Sequence, residues 1–271
     1  MEQYQFPHWW QQLLGRKRWR EAPSLIVLST GRTATTALAR LLNLSPTLRA
    51  FHEPPPISTL TTRTVFQEVH AQPQKYRDLY IKLRSGVIGG FHRQGLIYAE
   101  TNNLGFFAPV IAELLPNAKF VFVHRHAAEY VRSGMRRGWY VNHSWDKYRL
   151  EPAASDPLRS QWDRWEPFDK ICWFWKAANG FFHDFVQTLP PDRSRTICFD
   201  DLIRPGSGEY RKFFDVLGVE APSPDEAEAL LNERVNEQQQ GDFPTYPHWS
   251  DEQRQRLRSI AGPLMTTLGY E

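Results

Sequence analysis

The sequence has little of the chemistry that a disulfide framework, a metal cluster or a membrane anchor needs. Its 271 residues include two cysteines, Cys172 and Cys198, in apolar contexts without a CxxC spacing. We therefore expect two buried free thiols rather than a disulfide or a metal site. No run of about 18 apolar residues occurs, and the N-terminus lacks a basic region followed by an apolar one. We expect no membrane span and no secretion signal, and predict a cytoplasmic protein.

Charge of one sign is not concentrated either. The net charge of +3 suits a small anionic ligand but is too low for the basic surface that nucleic-acid binding requires, so we expect no nucleic-acid partner. A chain of this length can keep one core. We predict a single domain over 1–271, with 1–22 as an N-terminal flank and 135–170 as an insertion that could cover the substrate. The sequence does not indicate an oligomeric state.

Short apolar runs alternate with helical patterns along the chain. Strands are predicted at 25–28, 48–53 and 119–123, at 87–91 and 96–100 around a turn, and at 196–199. Helices are predicted at 35–43, 106–115 and 181–186, from 127 onwards, and after Ser250, which has a capping-box spacing to Gln253. Repeated strand-to-helix passages predict an α/β protein, a P-loop-like three-layer fold with a central, mostly parallel sheet and helices on both faces.

A loop rich in hydroxyl groups follows the first strand and has the features of an anion site. Backbone amides at a helix N-terminus are unsatisfied and favour an anion, and the planar fork of Arg32 can bind the same group. The candidate residues are Gly31, Arg32, Thr33, Ala34, Thr35 and Thr36. The alternative is a threonine that only caps the helix. The second glycine and the lysine of a Walker A loop are missing, which argues against magnesium-dependent nucleotide chemistry.

A second candidate site follows the strand KFVFV. Arg125 lies at the end of this strand, and Ser133 comes eight residues later, about two turns along the next helix. An arginine at a strand end and a hydroxyl on the following helix can converge on one anion. The alternative is that both are ordinary surface residues.

The two motifs together resemble those of the PAPS-dependent sulfotransferase family, which uses 3′-phosphoadenosine 5′-phosphosulfate. The loop from Arg32 to Thr36 resembles the family's basic, hydroxyl and small-residue loop. Val123, Arg125, Ser133 and Gly134 resemble its V-x-R-x7-S-G pattern. The resemblance implies that the loop binds the 5′-phosphosulfate and that Arg125 and Ser133 bind the 3′-phosphate. Weaker similarities lie in FHEP, ETNN, CWFWKAAN, CFDDL and the terminal LGY.

Two departures from the family pattern bear on the branch. Ala37 stands where the cytosolic branch carries a tryptophan that stacks on adenine, and the late Arg-Lys-Gly phosphate contact is not evident. The chain therefore resembles the bacterial or carbohydrate-type branches, and no adenine contact is predicted.

The resemblance implies sulfuryl transfer from PAPS to a hydroxyl of a small-molecule or carbohydrate acceptor, with PAP released. This reaction needs a base for the acceptor proton and positive charge at the leaving oxygen, the role that Arg32 would fill. Glu53 is the preferred candidate base, and His52 competes with it. Neighbouring residues of a strand point to opposite sides, so we expect only one of them to face the cleft. No metal is expected, because a sulfuryl group carries less charge than a phosphoryl group.

Two other functions stay open at this point. A P-loop-like small-molecule kinase would share the sheet and the phosphate loop, but it would need a lysine and a magnesium ligand. A non-catalytic nucleotide-binding protein would keep the anion sites without transfer.

Overall fold

The fold is built on a parallel sheet. The computed structural model describes residues 7–9, 18–55, 62–101, 104–141, 143–232 and 241–270. The strands are β1 (Ser24–Leu28), β2 (Leu48–His52), β3 (Ile97–Thr101), β4 (Ala118–His124) and β5 (Ser194–Cys198), in the order β2-β3-β1-β4-β5. All the strand pairs are parallel. The predicted α/β class is confirmed.

Helices cover both faces of this sheet. The longer ones are α1 (Thr35–Leu42), α2 (Thr62–Glu68), α3 (Pro73–His92), α4 (Ala108–Leu114), α5 (Ala127–Met135), α6 (Pro167–Gln187), α7 (Pro224–Asn232) and α8 (Asp251–Thr267). Single helical turns cover Arg159–Trp162, Phe199–Leu202 and Lys212–Asp215. Ser250 and Gln253 form the predicted capping box at the start of α8.

Strand β1 has no polar face because both of its faces are covered. Leu25 and Val27 pack in the core that α1 and α7 share, whereas Ile26 and Leu28 pack in the larger core formed with α3 to α6 and α8. An unbroken apolar run is the expected pattern for a parallel strand that is buried on both sides. This burial fixes the position of the loop that follows β1.

The order in which the chain adds strands to the sheet reverses between β1 and β4. The chain runs from β1 to β2 at one edge, returns through β3, and then crosses to β4 on the other side of β1. Leu28 at the end of β1 pairs with Phe122 near the end of β4. Ligands of open parallel sheets bind at the carboxyl ends of the strands at such a point. The loops after β1 and β4 therefore flank the expected site.

One predicted strand is wrong. Residues 87–91 (VIGGF) belong to α3, although two glycines lower the intrinsic helix propensity there. Val87, Ile88 and Phe91 are all buried in the larger core. Their packing outweighs the local propensity, because most helix stability in proteins comes from the buried face.

The other expectations are met in part. Residues 97–101 form β3, and the helix predicted at 181–186 is the end of the much longer α6. Both cysteines are free, but only Cys172 is buried, since Cys198 is half-buried. Within the described ranges, no helix combines the length and apolarity that crossing a membrane requires.

A buried ion pair connects α3 to the sheet. The Arg84 Nε lies 2.7 Å from the Glu100 Oε2, and the Arg84 Nη2 lies 3.0 Å from the Glu100 Oε1. Both side chains are only 1% exposed. Tyr98 donates its hydroxyl to the same carboxylate. The Arg84 Nη2 also donates to the Pro54 carbonyl at 3.1 Å, so the pair holds the loop that follows β2.

Removal of Arg84 should strongly destabilise the protein. Arg84→Ala leaves the Glu100 charge buried and unpaired, and we expect a loss of about 3–5 kcal/mol in the free energy of unfolding. Arg77→Ala is the matched control, because Arg77 lies on the same helix and its partner Glu113 is about half exposed. The control should lose no more than about 1 kcal/mol in urea unfolding. Equal losses in the two variants would contradict a special role for the buried pair.

Candidate active site

The loop between β1 and α1 is held in a strained backbone. Gly31, Arg32 and Ala34 have positive φ angles of 79°, 61° and 52°. A left-handed conformation costs a non-glycine residue about 1–2 kcal/mol. Strain of this kind clusters at functional sites. Ala34 is the N-cap residue of α1 and has no side-chain acceptor, so the alternative of a threonine cap does not describe this helix.

The threonines of the loop do not all face one ligand. The Thr33 hydroxyl is fully buried and lies 2.6 Å from the Ser29 hydroxyl, which also accepts from the Gly31 amide at 2.8 Å. Thr33 therefore supports the shape of the loop. Thr35 is buried, while Thr36 is half-buried. Of these side chains, Thr36 is the most open to a ligand.

The structure brings together the two motifs that the sequence separates by about a hundred residues. The Arg32 Nε donates to the Ser133 hydroxyl at 3.1 Å, and the Arg125 Nη1 donates to the Arg32 carbonyl at 3.2 Å. One group is thus formed by Arg32, Arg125 and Ser133, at the point where the strand order of the sheet reverses. Arg32 contacts the Ser133 hydroxyl, and Arg125 contacts the main chain of Arg32.

Gly134 allows α5 to pack closely at this place. A Cβ atom at Gly134 would lie 2.7 Å from the Trp139 ring and 3.1 Å from Ile171. No side chain fits there without displacing its neighbours. The glycine of the second motif therefore serves packing, which fixes the helix that carries Ser133.

Arg125 is positioned by residues for which no role was predicted. The Trp175 Nε1 donates to the Arg125 carbonyl at 2.9 Å, and the Phe199 ring lies 5.0 Å from the guanidinium. Glu129 contacts the Arg125 Nη2 at 3.4 Å. The buried Arg125 Nε has no hydrogen-bond partner among the described residues. Trp175 and Phe199 come from CWFWKAAN and CFDDL, so those weaker similarities mark the surroundings of Arg125.

The group carries positive charge that is poorly neutralised. Burial lowers the pKa of Arg32, and the nearby charge of Arg125 lowers it further, against the effect of Tyr130. Among the residues that the structure describes, no carboxylate forms an ion pair with Arg32. Buried charge without a counter-charge is costly, so this arrangement suits a bound anion.

A chain of hydrogen bonds to the first turn of α1 holds His52 in one tautomer. The Thr101 hydroxyl donates its single hydrogen to the Thr35 carbonyl at 3.1 Å, so it can only accept from the His52 Nδ1, which lies 3.1 Å away. The Nε2 is then the nitrogen that can take up a proton. Burial lowers the pKa of His52, although the charges of Glu53 and Glu100 act in the opposite direction. His52 is therefore neutral at pH 7.

Glu53 lies at the same strand end but is not extended. Its φ angle is 48°, its amide contacts the Thr101 carbonyl at 3.4 Å, and its side chain is half-buried. The alternation of side chains along a strand therefore does not apply between His52 and Glu53. Arg84 holds the next residue, Pro54, by its carbonyl. Both candidate bases thus lie at the carboxyl end of β2, and His52 is connected to the loop between β1 and α1 through Thr101.

A model of the sulfotransferase family matches residues 23–223, well over half of the chain. The chain belongs to the sulfotransferase family. The family predicted from the motifs is confirmed, and with it sulfuryl transfer as the general reaction. No curated protein matches the sequence of this sulfotransferase.

Solved structures share the fold of this sulfotransferase at low sequence identity. The sulfotransferase domain from the curacin biosynthetic pathway is 15% identical, with a TM-score of 0.56, over 93% of this chain and 99% of that one. A sulfotransferase from Alicyclobacillus acidocaldarius is 17% identical, with a TM-score of 0.53, over 92% and 96%. Sulfotransferase STF1 from Mycobacterium tuberculosis H37Rv is 16% identical, with a TM-score of 0.56, over 93% and 80%. At these identities the likeness concerns the fold alone.

Part of segment 135–170 of the sulfotransferase is anchored to α2. Arg63 donates to the Arg149 carbonyl at 2.6 Å and the Asp146 carbonyl at 3.0 Å, and pairs with Glu151 at 2.8 Å. The Arg149 guanidinium lies 4.0 Å above the Trp139 ring. These contacts fix the segment next to the helix that carries Ser133. That it covers the substrate stays a prediction.

The C-terminal LGY of the sulfotransferase contacts the strand ends. The His124 Nδ1, in the last residue of β4, lies 2.7 Å from the Tyr270 hydroxyl, which is 3.5 Å from the Cys198 Sγ. Burial, together with the charge of His183, lowers the pKa of His124 to about 4. His124 is neutral near neutral pH, which avoids a further positive charge beside Arg125.

Acid should destabilise the sulfotransferase through His124. The unfolded chain takes up a proton at His124 near its ordinary pKa of about 6.5, and the folded chain only near pH 4. The stabilising effect of the neutral side chain is complete above pH 6.5 and is lost as the pH falls towards 4, at up to about 1.4 kcal/mol per pH unit.

Imidazole resonances followed by NMR from pH 8 to 4 would measure this. Tyr270→Phe is the control: it removes the hydroxyl but keeps the burial, so the low midpoint should persist. A His124 midpoint near that of the urea-unfolded chain would contradict the assignment.

Proposed function

We propose that this sulfotransferase takes the sulfuryl group from PAPS and transfers it to a hydroxyl of a small-molecule or carbohydrate acceptor, releasing PAP. The observation that carries the proposal is the group of Arg32, Arg125 and Ser133 at the carboxyl ends of β1 and β4. These residues supply positive charge and hydrogen-bond donors for an anionic ligand. A donor with two separate anionic groups needs such a pair of joined sites.

Each end of the donor has its own set of contacts in this proposal. The 5′-phosphosulfate binds Arg32 and the first-turn amides of α1, whose N-cap residue offers no competing acceptor. The loop residues of this set are Gly31, Arg32, Thr33, Ala34, Thr35 and Thr36. The 3′-phosphate binds Arg125 and Ser133. The unpartnered Arg125 Nε supports this assignment, because a buried donor requires an acceptor.

The chemical step is an in-line displacement at sulfur. The acceptor oxygen forms a bond to sulfur while the bond from sulfur to the phosphate oxygen breaks, and the acceptor proton passes to a base. Negative charge grows on the leaving phosphate oxygen, where Arg32 and the helix amides stabilise it. Positioning and electrostatics supply most of the catalysis, by analogy with phosphoryl transfer.

Glu53 is the proposed base, and His52 is the second candidate. The left-handed backbone at Glu53 and the hold of Arg84 on Pro54 support a fixed carboxylate beside the loop. His52 would act through its Nε2, since its Nδ1 donates to Thr101. A neutral imidazole and a carboxylate can both accept the proton in the transition state.

Calorimetric titration with PAP, and in parallel with ATP and magnesium, tests the proposed donor. Wild-type protein should bind PAP. Arg125→Ala should weaken PAP binding about tenfold or more, because it loses a charge-assisted contact. Arg32→Ala keeps the carbonyl that Arg125 contacts, and it should mainly lower kcat with PAPS, by about 10²–10³. Arg258→Ala, at an exposed position on α8, controls for loss of charge.

The outcomes separate the alternatives. Binding of ATP but not PAP would favour the kinase. PAP binding without transfer to any acceptor, unchanged by Glu53→Gln, would favour a non-catalytic nucleotide-binding protein. Equal losses of PAP affinity in Arg32→Ala and Arg125→Ala would contradict the division of roles.

Loss of the base should slow the reaction without weakening donor binding. We expect Glu53→Gln to lower kcat about 10²–10⁴-fold, while its affinity for PAP stays close to that of wild type. His52→Gln is the matched variant and should have the smaller effect on kcat. A larger effect in His52→Gln would assign the base to the His52 Nε2. Steady-state rates with PAPS and a responsive acceptor measure both.

A further inference from the structure

The chain turns sharply after α8 and places Tyr270 on the strand ends. Gly269 has a φ angle of 82°, and its amide donates to the Thr266 carbonyl at 3.0 Å. The Tyr270 amide donates to the Met265 carbonyl at 2.8 Å. These two bonds form a Schellman motif, in which a glycine allows the left-handed turn that ends a helix. The motif fixes the backbone from which the Tyr270 side chain extends.

The Tyr270 hydroxyl lies between the last residues of two neighbouring strands. It is 2.7 Å from the His124 Nδ1 in β4 and 3.5 Å from the Cys198 Sγ in β5. These two residues are partners in the register of the parallel strands. The residues that follow them are Arg125 and Phe199, and the Phe199 ring lies 5.0 Å from the Arg125 guanidinium. One hydroxyl therefore joins the two strand ends from which Arg125 and its aromatic neighbour continue.

The Tyr270 ring packs on the other side of Arg125. Its centroid lies 5.1 Å from that of His126, with the two rings edge to face. The His126 Nδ1 accepts from the Ala128 amide at 3.1 Å and so caps the helix that carries Ser133. The Tyr270 ring also lies 6.5 Å from that of Trp175, which donates to the Arg125 carbonyl. Tyr270 thus contacts the chain both before and after Arg125.

We propose that Tyr270 is a positioning residue for Arg125: it holds the ends of β4 and β5 together and thereby raises the affinity for the 3′-phosphate of the donor. The inference rests on the proposed function, in which Arg125 and Ser133 bind that phosphate. A hydrogen bond weakens steeply when its distance and angle are disturbed, so a small displacement of the guanidinium lowers the affinity. The parts of the nucleotide that Arg125 does not bind should be unaffected.

The competing explanation is that Tyr270 only anchors α8. A half-buried aromatic ring stabilises a fold by the apolar surface that it buries. Tyr270→Phe keeps this ring and removes only the hydroxyl that contacts His124 and Cys198. An anchor predicts that Tyr270→Phe binds every nucleotide as wild type does. A positioning residue predicts a loss that is confined to nucleotides with a 3′-phosphate.

The test compares two nucleotides that differ only in the 3′-phosphate. Dissociation constants for PAP and for 5′-AMP are measured by calorimetry on wild type, Tyr270→Phe, Arg125→Ala and the double variant that combines the two changes. Leu257→Val is the control for lost stability, because Leu257 is buried in the larger core on the same helix as the turn. Thermal unfolding of each variant sets a titration temperature at which it is folded.

We expect Tyr270→Phe to weaken PAP binding about three- to tenfold, through a weaker charge-assisted contact. Its affinity for 5′-AMP should stay within about twofold of wild type, and Leu257→Val should change neither nucleotide. In the Arg125→Ala background, Tyr270→Phe should have no further effect on PAP, because the group that it positions is gone.

Three results would overturn the role of Tyr270 and leave the proposed function intact. They are an unchanged PAP affinity in Tyr270→Phe, equal losses for PAP and 5′-AMP, and a full additional loss when Tyr270→Phe is added to Arg125→Ala. Wild type that does not bind PAP would overturn both the role and the proposed function.

Discussion

The hydrogen bond from Arg125 to the main-chain carbonyl of Arg32 connects the two halves of the site. It can form because β1 and β4 are neighbours in register, so their carboxyl ends lie side by side. Trp175 extends the connection by donating to the Arg125 carbonyl, which links α6 to the loop after β1. Positive groups that are fixed before the ligand arrives need little reorganisation during the reaction. The geometry of the site thus follows from the order of strands in the sheet.

The site lowers the stability of the free protein. Arg32 and Ala34 adopt left-handed conformations, and burial with the nearby charge of Arg125 lowers the pKa of Arg32, which disfavours its charged form. The buried strands on either side and the packing of α1 hold the loop in this state. A ligand that binds only the folded protein stabilises it and so offsets part of this destabilisation. The same features that weaken the free protein therefore favour an anionic ligand.

Local patterns predicted the parts of the fold that depend on local burial. The apolar runs gave β1 and β4, and the spacing from Arg125 to Ser133 gave the second motif. The pattern wrongly predicted a strand at VIGGF, because packing against distant segments stabilises a helix there. The contact between the Arg137 guanidinium and the Ser133 hydroxyl was not predicted, because it depends on how the chain turns after α5. The segments that contain Trp175 and Phe199 resemble those of the family, but the contacts of these residues with Arg125 appear only in the folded chain.

The Thr101 hydroxyl connects His52, one of the two candidate bases, to the first turn of α1. Its hydrogen goes to the Thr35 carbonyl in the first turn of α1, so the His52 Nδ1 must donate to its oxygen. The position of the proton on His52 is thereby set by the helix whose N-terminus is the proposed donor site. Burial keeps His52 neutral and spares the site one more positive charge. A neutral histidine next to Glu53 leaves the positive charge of the site concentrated on the arginines, where the proposed reaction develops negative charge on the leaving oxygen.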